Sequence, residues 1–352
     1  MDSLNLIKND PWLEPYKTDI EHRFQLSVSK EKELAGKGKS LSDFADGYLY
    51  FGLHKIEQGW VMREWAPNAT DIFLIGNFSE WKENTKYRFS KLKNGVWELK
   101  LKTGEIKHLD LYKLSMHWNG GHGERIPAWA TRVVQDEKTY IFSAQVWSPS
   151  RPYKFKKKKF KPQISPLLIY ECHIGMAQEE ERIGSYNEFR EKILPRIAKD
   201  GYNAIQIMAI QEHPYYGSFG YHVSSFFAPS SRFGTPDELK QLIDEAHASG
   251  IAVIMDIVHS HAVKNEVEGL GRFDGSYNQF FYGDHRREHP AWDSLCFDYG
   301  KNEVIHFLLS NCKYWLEEFK FDGFRFDGVT SMLYYDHGLG KAFGSYNDYY
   351  DG

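Results

Sequence analysis

TPDELKQLIDEAHASGIAVIMDIVHSH, residues 235–261, sets an amphipathic helix directly before a short apolar strand. Thr235 and Pro236 suit the N-cap and the first turn of a helix, and Gly250 suits its C-terminal end. IAVIMDIV is apolar almost throughout, which is typical of a strand buried on both faces of a parallel sheet. The stretch therefore predicts one helix–strand unit of an α/β fold.

The same alternation runs through the second half of the chain. Because an eight-stranded barrel needs about 250 residues, we expect residues 165–352 to form only the first half of a (β/α)8 TIM barrel. The predicted strands are LLIYECHIG (167–175), YNAIQIMAI (202–210), IAVIMDIVHSH (251–261) and FDGFRFDGV (321–329), and the other predicted helices are SYNEFREKILPRIAKDG (185–201) and NEVIHFLLSNCKYWLEEF (302–319). A long irregular loop is expected between about 262 and 301.

The first half of the chain has a different character. Residues 1–50 are polar and predict a helical segment. Residues 51–150 contain short aromatic and β-branched runs separated by Gly, Asn and Pro, which predicts an all-β sandwich. Residues 151–164, which include the whole run KFKKKKFKPQ (154–163), predict a solvated basic linker. The prediction is thus a multidomain protein.

Composition excludes several classes of protein. The net charge of −4 gives no overall field that would attract nucleic acid. No stretch approaches the roughly 20 apolar residues of a membrane span. Three cysteines form no metal-ligand pattern and suit a reducing compartment. The N-terminus has no signal-peptide layout, so we expect a cytoplasmic protein.

Charged residues follow the predicted third and fourth strands. Asp256 ends the third apolar run and His261 follows it, and on the fourth strand Arg325 and Asp327 are two residues apart, so their side chains share a face. An arginine can hold a neighbouring carboxylate ionised in a buried strand, and such a carboxylate is a plausible nucleophile toward a glycosidic carbon. A structural ion pair is the alternative.

The histidines allow a rival hypothesis. His259 and His261 at i, i+2 would share a face of a strand, and metal-dependent hydrolases build sites of this kind on barrels. No third or fourth ligand has an obvious spacing, so the metal site remains the weaker interpretation.

These motifs resemble a known family. DIVHSH and GFRFDGVTS look like signature regions of the α-amylase superfamily, glycoside hydrolase family 13, and EHPYYGSFGYHVSSFFAPSSRFGTPDELK narrows the resemblance to eukaryotic-type 1,4-α-glucan branching enzymes. REWAPNATDIFLIGNFSEW resembles that family's immunoglobulin-like carbohydrate-binding module, CBM48. The resemblance implies an α-glucan polymer as substrate, a monomer in full-length form, and neither cofactor nor metal.

The resemblance also implies roles for individual residues. Asp327 matches the nucleophile, Arg325 the arginine that orients it, and Asp256, His261 and Tyr221 the residues around the cleaved sugar. The matched glucan contacts are Trp65, Ala66, Pro67, Trp81, Lys93, Asn94, Gly95, Val96 and Lys113, with Lys37, Gly38, Glu303, Val304, Ile305 and His306 matched less closely.

One required group is missing from the pattern. The family carries its general acid, a Glu, after the fifth barrel strand, and this chain ends at YNDYYDG, shortly after the fourth. We therefore expect the isolated chain to be inactive and poorly soluble, with exposed strand edges. A non-catalytic glucan-binding protein, in which only the sandwich functions, is the alternative.

Overall fold

A helical segment opens the chain. The structure, a computed structural model, describes residues 3–156, 159–162, 166–342, 344–345 and 348. Parts of the predicted basic linker and of the C-terminal YNDYYDG stretch lie outside these residues. The helices of the first segment are α1 (Ser3–Asn9), α2 (Lys17–Ala35), α3 (Leu41–Phe44) and α4 (Gly47–Tyr50), with a 3-10 turn at Pro11–Tyr16.

A two-layered β-sandwich follows. One sheet has the strand order β1-β2-β5-β4, and the other has the order β3-β6-β9-β8 with β7 paired to β6. All described pairs within these sheets are antiparallel. The strands are β1 (Gly52–Ile56), β2 (Gly59–Trp65), β3 (Ala69–Gly76), β4 (Ser90–Lys91), β5 (Val96–Lys102), β6 (Leu111–Trp118), β7 (Gly121–Arg125), β8 (Val133–Gln135) and β9 (Phe142–Gln145).

A four-stranded parallel sheet forms the second half. Its order is β10-β11-β14-β18, which is the sequential order of a half barrel. Its strands are β10 (Ile169–Cys172), β11 (Ala204–Ile207), β14 (Ala252–Ile257) and β18 (Gly323–Phe326), and its helices are α5 (Tyr186–Glu188), α6 (Leu194–Lys199), α7 (Pro236–Ala248), α8 (Asn302–Glu318) and α9 (Thr330–Leu333). The predicted fold class is confirmed.

Helix α7 begins as its sequence predicts. Thr235 Oγ1 accepts a hydrogen bond from the backbone N–H of Glu238, and the Glu238 carboxylate accepts one from the N–H of Thr235 at 2.6 Å. These reciprocal bonds satisfy two backbone donors that the first turn leaves unpaired. Leu239, Leu242 and Ile243 then fill the core beside the sheet.

The helix predicted over 185–201 is interrupted. Its first turn is α5, a π-helical turn covers Phe189–Ile193, and α6 follows with Pro195 in its first turn. Proline has no N–H to donate to the preceding turn, so the regular hydrogen-bond pattern changes there.

The strand edges are exposed, as expected for a half barrel, and only the interpretation of the fourth strand as buried is wrong. β18 lies at one edge of the sheet, and Phe326 is 38% exposed. β10 lies at the other edge, where Ile169 is 43% exposed. Among the described residues no strand pairs with the outer side of either. The apolar side chains of β10 and β18 would be buried only if a further strand paired with the outer side of each strand.

Two small sheets lie outside the predicted strands, and the second of them occupies the loop predicted as irregular between about 262 and 301. β12 (Gln211–Glu212) pairs with β13 (Ser225–Pro229), and β15 (Ala262–Val263), β16 (Glu288–His289) and β17 (Ser294–Leu295) form a three-stranded sheet. Both lie in connections that follow the carboxyl ends of barrel strands. Within the described ranges, no helix is long and apolar enough to cross a membrane.

The sandwich and the half barrel share one hydrophobic core. The ring of Trp129 stacks on Phe51 at 5.0 Å and on Phe227 at 4.7 Å, and it meets the edge of Phe307. Phe51 lies between α4 and β1, Trp129 lies between β7 and β8, and Phe227 and Phe307 belong to the half that contains the parallel sheet. The sandwich therefore has a fixed position relative to the strand ends.

Candidate active site and glucan surfaces

The candidate catalytic residues lie where β14 and β18 end. In the parallel pairing of these strands Asp256 is opposite Arg325. The N–H of Asp327 donates to the carbonyl of Ile257 at 3.0 Å, which extends the ladder by one residue. The carboxyl ends of parallel barrel strands are where active sites form in this architecture.

Arg325 joins the two carboxylates. Its Nη1 donates to both oxygens of Asp256 at 2.9 and 3.0 Å and to Oδ1 of Asp327 at 2.6 Å. The hydroxyl of Tyr221 donates to Asp256 Oδ2 at 3.0 Å. The structure thus brings four of the five predicted catalytic residues into one hydrogen-bonded network.

Burial distinguishes the two carboxylates. Asp256 is fully buried, and burial raises its pKa although hydrogen bonds from Arg325 and Tyr221 oppose the shift. Burial, with the adjacent Asp256 charge, also raises the pKa of Tyr221, which keeps its proton at neutral pH. Asp327 is partly exposed, and Arg325 contacts only its Oδ1. Asp327 is therefore the more accessible of the two carboxylates.

His261, the fifth predicted residue, borders this network. Burial lowers its pKa to about 4, so the imidazole is neutral at physiological pH. Its Nε2 donates to the carbonyl of Tyr221 at 2.9 Å, and its Nδ1 accepts from Ser260 Oγ at 3.0 Å. The two bonds fix the tautomer and the ring plane.

The two histidines proposed as a metal pair face different surroundings. His259 Nε2 bonds to Asn311 at 2.9 Å inside the core, while His261 lies beside Tyr221. The strand ends at Ile257, so the alternation of a strand does not continue to these residues. The expected shared face was wrong, and within the described part of the chain no group of three ligating residues could hold a metal ion.

An aromatic pair beside His261 was missed by the sequence reasoning. Trp292 stacks on His289 with ring centroids 3.9 Å apart, and it lies 5.0 Å from the ring of His261. Trp292 is 37% exposed, which leaves part of its ring available to a ligand. The signal was a tryptophan between Pro290 and Asp293, in a segment predicted only as a loop.

Trp81 and Lys113 of the sandwich line one depression. Its volume is about 750 Å³. Lys113 is largely buried, and its ammonium donates to Glu124 at 2.9 Å. Trp81 is 40% exposed. A flat ring beside hydrogen-bonding groups suits a sugar, which has apolar faces and a hydroxylated rim. The other lining residues include Leu111, Glu124, Gln135, Ile141, Ser143 and Gln145.

A second group of predicted contacts meets at one end of β2 and β5. Trp65 is opposite Val96, and the N–H of Ala66 donates to the Gly95 carbonyl at 2.8 Å. Gly95 has φ +73°, and a Cβ there would overlap Pro67. Ala66 is fully buried, so its side chain faces the core. Lys93, Asn94 and Val96 line the adjoining hollow together with Tyr50.

The less closely matched residues follow α2 or lie on α8. Lys37 and Gly38 are exposed after α2, and α2 is tied to the start of α8 because Lys30 donates to Asn302 at 2.8 Å. On α8, Glu303 is exposed, Ile305 and His306 are half-buried and Val304 is buried, so the side chain of Val304 belongs to the core. The ring of His306 contacts Phe44 and Phe51.

Two domain families match the chain. Carbohydrate-binding module 48 (isoamylase N-terminal domain) matches residues 50–130, and the alpha amylase catalytic domain matches residues 180–295. Among solved structures, the catalytic module of the glycogen-degrading pneumococcal virulence factor SpuA covers 86% of this chain and 49% of its own, with a TM-score of 0.66 and 18% identity. The Group B Streptococcus pullulanase SAP covers 78% and 42%, with a TM-score of 0.65 and 21% identity. These structures share the fold.

Curated relatives are more similar in sequence. The 1,4-alpha-glucan-branching enzyme of Yarrowia lipolytica is 47% identical over 99% of this chain and 52% of its own length. Those of Dictyostelium discoideum and Equus caballus are 44% and 45% identical, over 52% and 50% of their lengths. The chain is thus similar to 1,4-alpha-glucan-branching enzymes, and it spans about half the length of the curated relatives that it matches.

Proposed function

We propose that the protein to which this chain belongs is a 1,4-alpha-glucan-branching enzyme. It cleaves an α-1,4 bond in a linear glucan and transfers the released segment to a glucan 6-hydroxyl, which creates an α-1,6 branch. The observation that carries the proposal is the position of Arg325 between Asp256 and Asp327 at the ends of two parallel strands.

The geometry supports Asp327 as the nucleophile. One oxygen of its carboxylate is held by Arg325, so the other can attack the anomeric carbon and form a glycosyl ester. The bond to the leaving oxygen breaks as a general acid protonates that oxygen. The acceptor 6-hydroxyl then gives its proton to the conjugate base of that acid and displaces Asp327, and two inversions retain the anomeric configuration.

Asp256 is unsuited to the role of the acid. Both of its oxygens accept hydrogen bonds from Arg325, and it is fully buried beside Tyr221. No third carboxylate joins this network within the described residues. We propose that the acid comes from the part of the family's length that this chain does not span.

Three groups contribute to holding the sugar in this proposal. Tyr221 presents a ring whose hydroxyl keeps its proton beside Asp256, neutral His261 supplies an oriented imidazole, and Trp292 offers an exposed aromatic face. The sandwich adds two further surfaces, the depression of Trp81 and Lys113 and the hollow at Lys93–Val96. Aromatic faces with nearby polar groups suit sequential glucose units of one polymer.

The biological setting is proposed as glycogen synthesis in the cytoplasm by a monomer. The cysteines Cys172, Cys296 and Cys312 are all unpaired, which suits a reducing compartment. Sedimentation of the full-length protein would test the monomeric state, and imaging of a tagged copy would test the cytoplasmic location.

The activity is tested on the full-length protein with amylose. We expect the iodine colour of amylose to fall without a matching rise in reducing ends, since the anomeric carbon from each cleaved α-1,4 bond is joined to a 6-hydroxyl. Asp327→Asn should abolish the change, whereas Asp200→Asn, an exposed residue after α6, should leave it intact. A parallel rise in reducing ends would indicate hydrolysis, and full activity of Asp327→Asn would refute the assigned nucleophile.

A non-catalytic glucan-binding protein is the second candidate. The described network contains two carboxylates, Asp256 and Asp327, and no group suited to act as the general acid. This favours the binding role for the 352-residue chain alone. We expect this chain to bind glycogen and to leave amylose unchanged. Turnover of amylose by the purified chain would overturn that expectation.

A further inference from the structure

The turn that carries Trp81 has an unfavourable backbone. Glu80 and Trp81 have φ angles of 54° and 58°, two consecutive non-glycine residues in the left-handed region. A side chain with a Cβ is disfavoured in this conformation, so surrounding contacts must hold the turn in place. Such strain is often found where a side chain is aimed at a ligand.

One end of the turn is fixed by Asn77. Its amide donates to Asp110 at 3.0 Å, and its Oδ1 accepts from the N–H of Leu111 at 3.1 Å. These bonds attach the start of the turn to the beginning of β6.

The other end is fixed by Glu83. Its Oε1 accepts from the hydroxyl of Ser115 and from Nε2 of His117, both at 2.6 Å. Lys113, Ser115 and His117 are each two residues apart along β6, so their side chains project from the same face of the strand. The carboxylate of Glu83 therefore links the turn of Trp81 to the strand of Lys113.

The surroundings of Glu83 favour its charged form. Partial burial alone would raise its pKa, but the hydrogen bonds of Ser115 and His117 and the nearby ring of His122 lower it. The rings of His117 and His122 are stacked at 5.3 Å. A carboxylate is a stronger acceptor than a neutral group, so both links gain from the charge.

We propose that Glu83 is a positioning residue for glucan binding by the sandwich: through Ser115 and His117 it holds Trp81 opposite Lys113. This inference rests on the proposed binding role of Trp81. Glu83 needs no contact with the sugar, and its effect on affinity passes through the indole ring.

The test measures retardation of the full-length protein in native gels that contain soluble glycogen. We expect Glu83→Ala to weaken binding roughly tenfold, which corresponds to about 1.4 kcal/mol. The matched control is Glu80→Ala, which removes the same charge from the same turn but breaks only the exposed pair with Lys82. It should leave retardation unchanged.

A double-mutant cycle separates positioning from general stability. In a Trp81→Ala background, Glu83→Ala should cause no further loss of binding, since the ring it positions is absent. Glu83→Gln keeps an oxygen acceptor for Ser115 and His117 and should restore most of the affinity. Ser115→Ala combined with His117→Gln should reproduce the loss.

Each outcome has one interpretation. If Trp81→Ala itself leaves binding intact, the proposed role of Trp81 fails. If Trp81→Ala weakens binding but Glu83→Ala does not, only the positioning role fails. Equal losses from Glu83→Ala in both backgrounds, accompanied by a lower melting temperature, would also overturn it, because the effect would then be structural.

Discussion

Arg325→Met removes the cation that joins Asp256 and Asp327 while keeping an unbranched side chain. Asp256 is fully buried and then retains only the hydrogen bond from Tyr221. The buried carboxylate has lost its counter-charge, so we expect the folded state to be destabilised.

The size of the loss follows from the exposure of Arg325. Removing one partner of a buried ion pair costs about 3–5 kcal/mol. The Arg325 side chain is 44% exposed, so solvent already screens part of the interaction. We expect the free energy of unfolding to fall by about 1–2 kcal/mol at neutral pH.

The loss should depend on pH in a defined direction. Burial already raises the pKa of Asp256, and the loss of Arg325 raises it further. Between the ordinary carboxyl pKa and the raised value, the native state binds a proton that the unfolded chain does not, so stability falls as pH rises through this interval. The deficit of Arg325→Met should therefore be larger near about pH 8 than near about pH 5.

Urea unfolding of the wild type and the variants at both pH values measures the effect. Asp256→Asn in the Arg325→Met background should recover much of the stability, because the buried group is then neutral. The control is Arg286→Met, since Arg286 pairs with Asp284 at the surface and should show no pH-dependent deficit. An equal deficit at both pH values, with no recovery from Asp256→Asn, would refute the reasoning.

Further substitutions test the fold. Thr235→Ala should lower the free energy of unfolding by about 1 kcal/mol in urea titrations, because α7 loses its N-cap; an unchanged midpoint would contradict the cap. Gly275→Ala should lower the melting temperature more than Gly201→Ala: both glycines have positive φ, but only at Gly275 would a Cβ overlap a neighbour, the ring of Trp118. Ile169→Lys on the open edge of β10 should reduce light scattering by the concentrated chain, since a charge on an edge strand opposes strand pairing; unaltered scattering would assign association to another surface.

Local signals in the sequence predicted the regular elements well. Helix α7 carries its own start signal in Thr235 and Glu238, and the four parallel strands are short apolar runs. The helix predicted over 185–201 is present but not regular. Pro195 has no N–H to donate, and a π-helical turn precedes it in a segment whose apolar pattern is helical.

Properties that depend on distant residues were beyond the sequence pattern. The exposure of Phe326 depends on which strand lies beside β18, and the separation of His259 from His261 depends on where β14 ends. For the candidate catalytic network, spacing placed Arg325 and Asp327 on one face, but the approach of Asp256 and Tyr221 required the folded sheet. Trp292 was missed because its segment has no periodic pattern.

The shared core around Trp129 has a consequence for how a polymer is delivered. A binding module on a flexible linker raises the effective concentration of its ligand at the second site but leaves the ligand free to reorient. Here the stacking of Trp129 on Phe51 and Phe227 removes that freedom. Under the proposed function, a glucan bound to the sandwich would approach Asp327 from one direction, so the module would contribute to the choice of bond as well as to retention of the polymer.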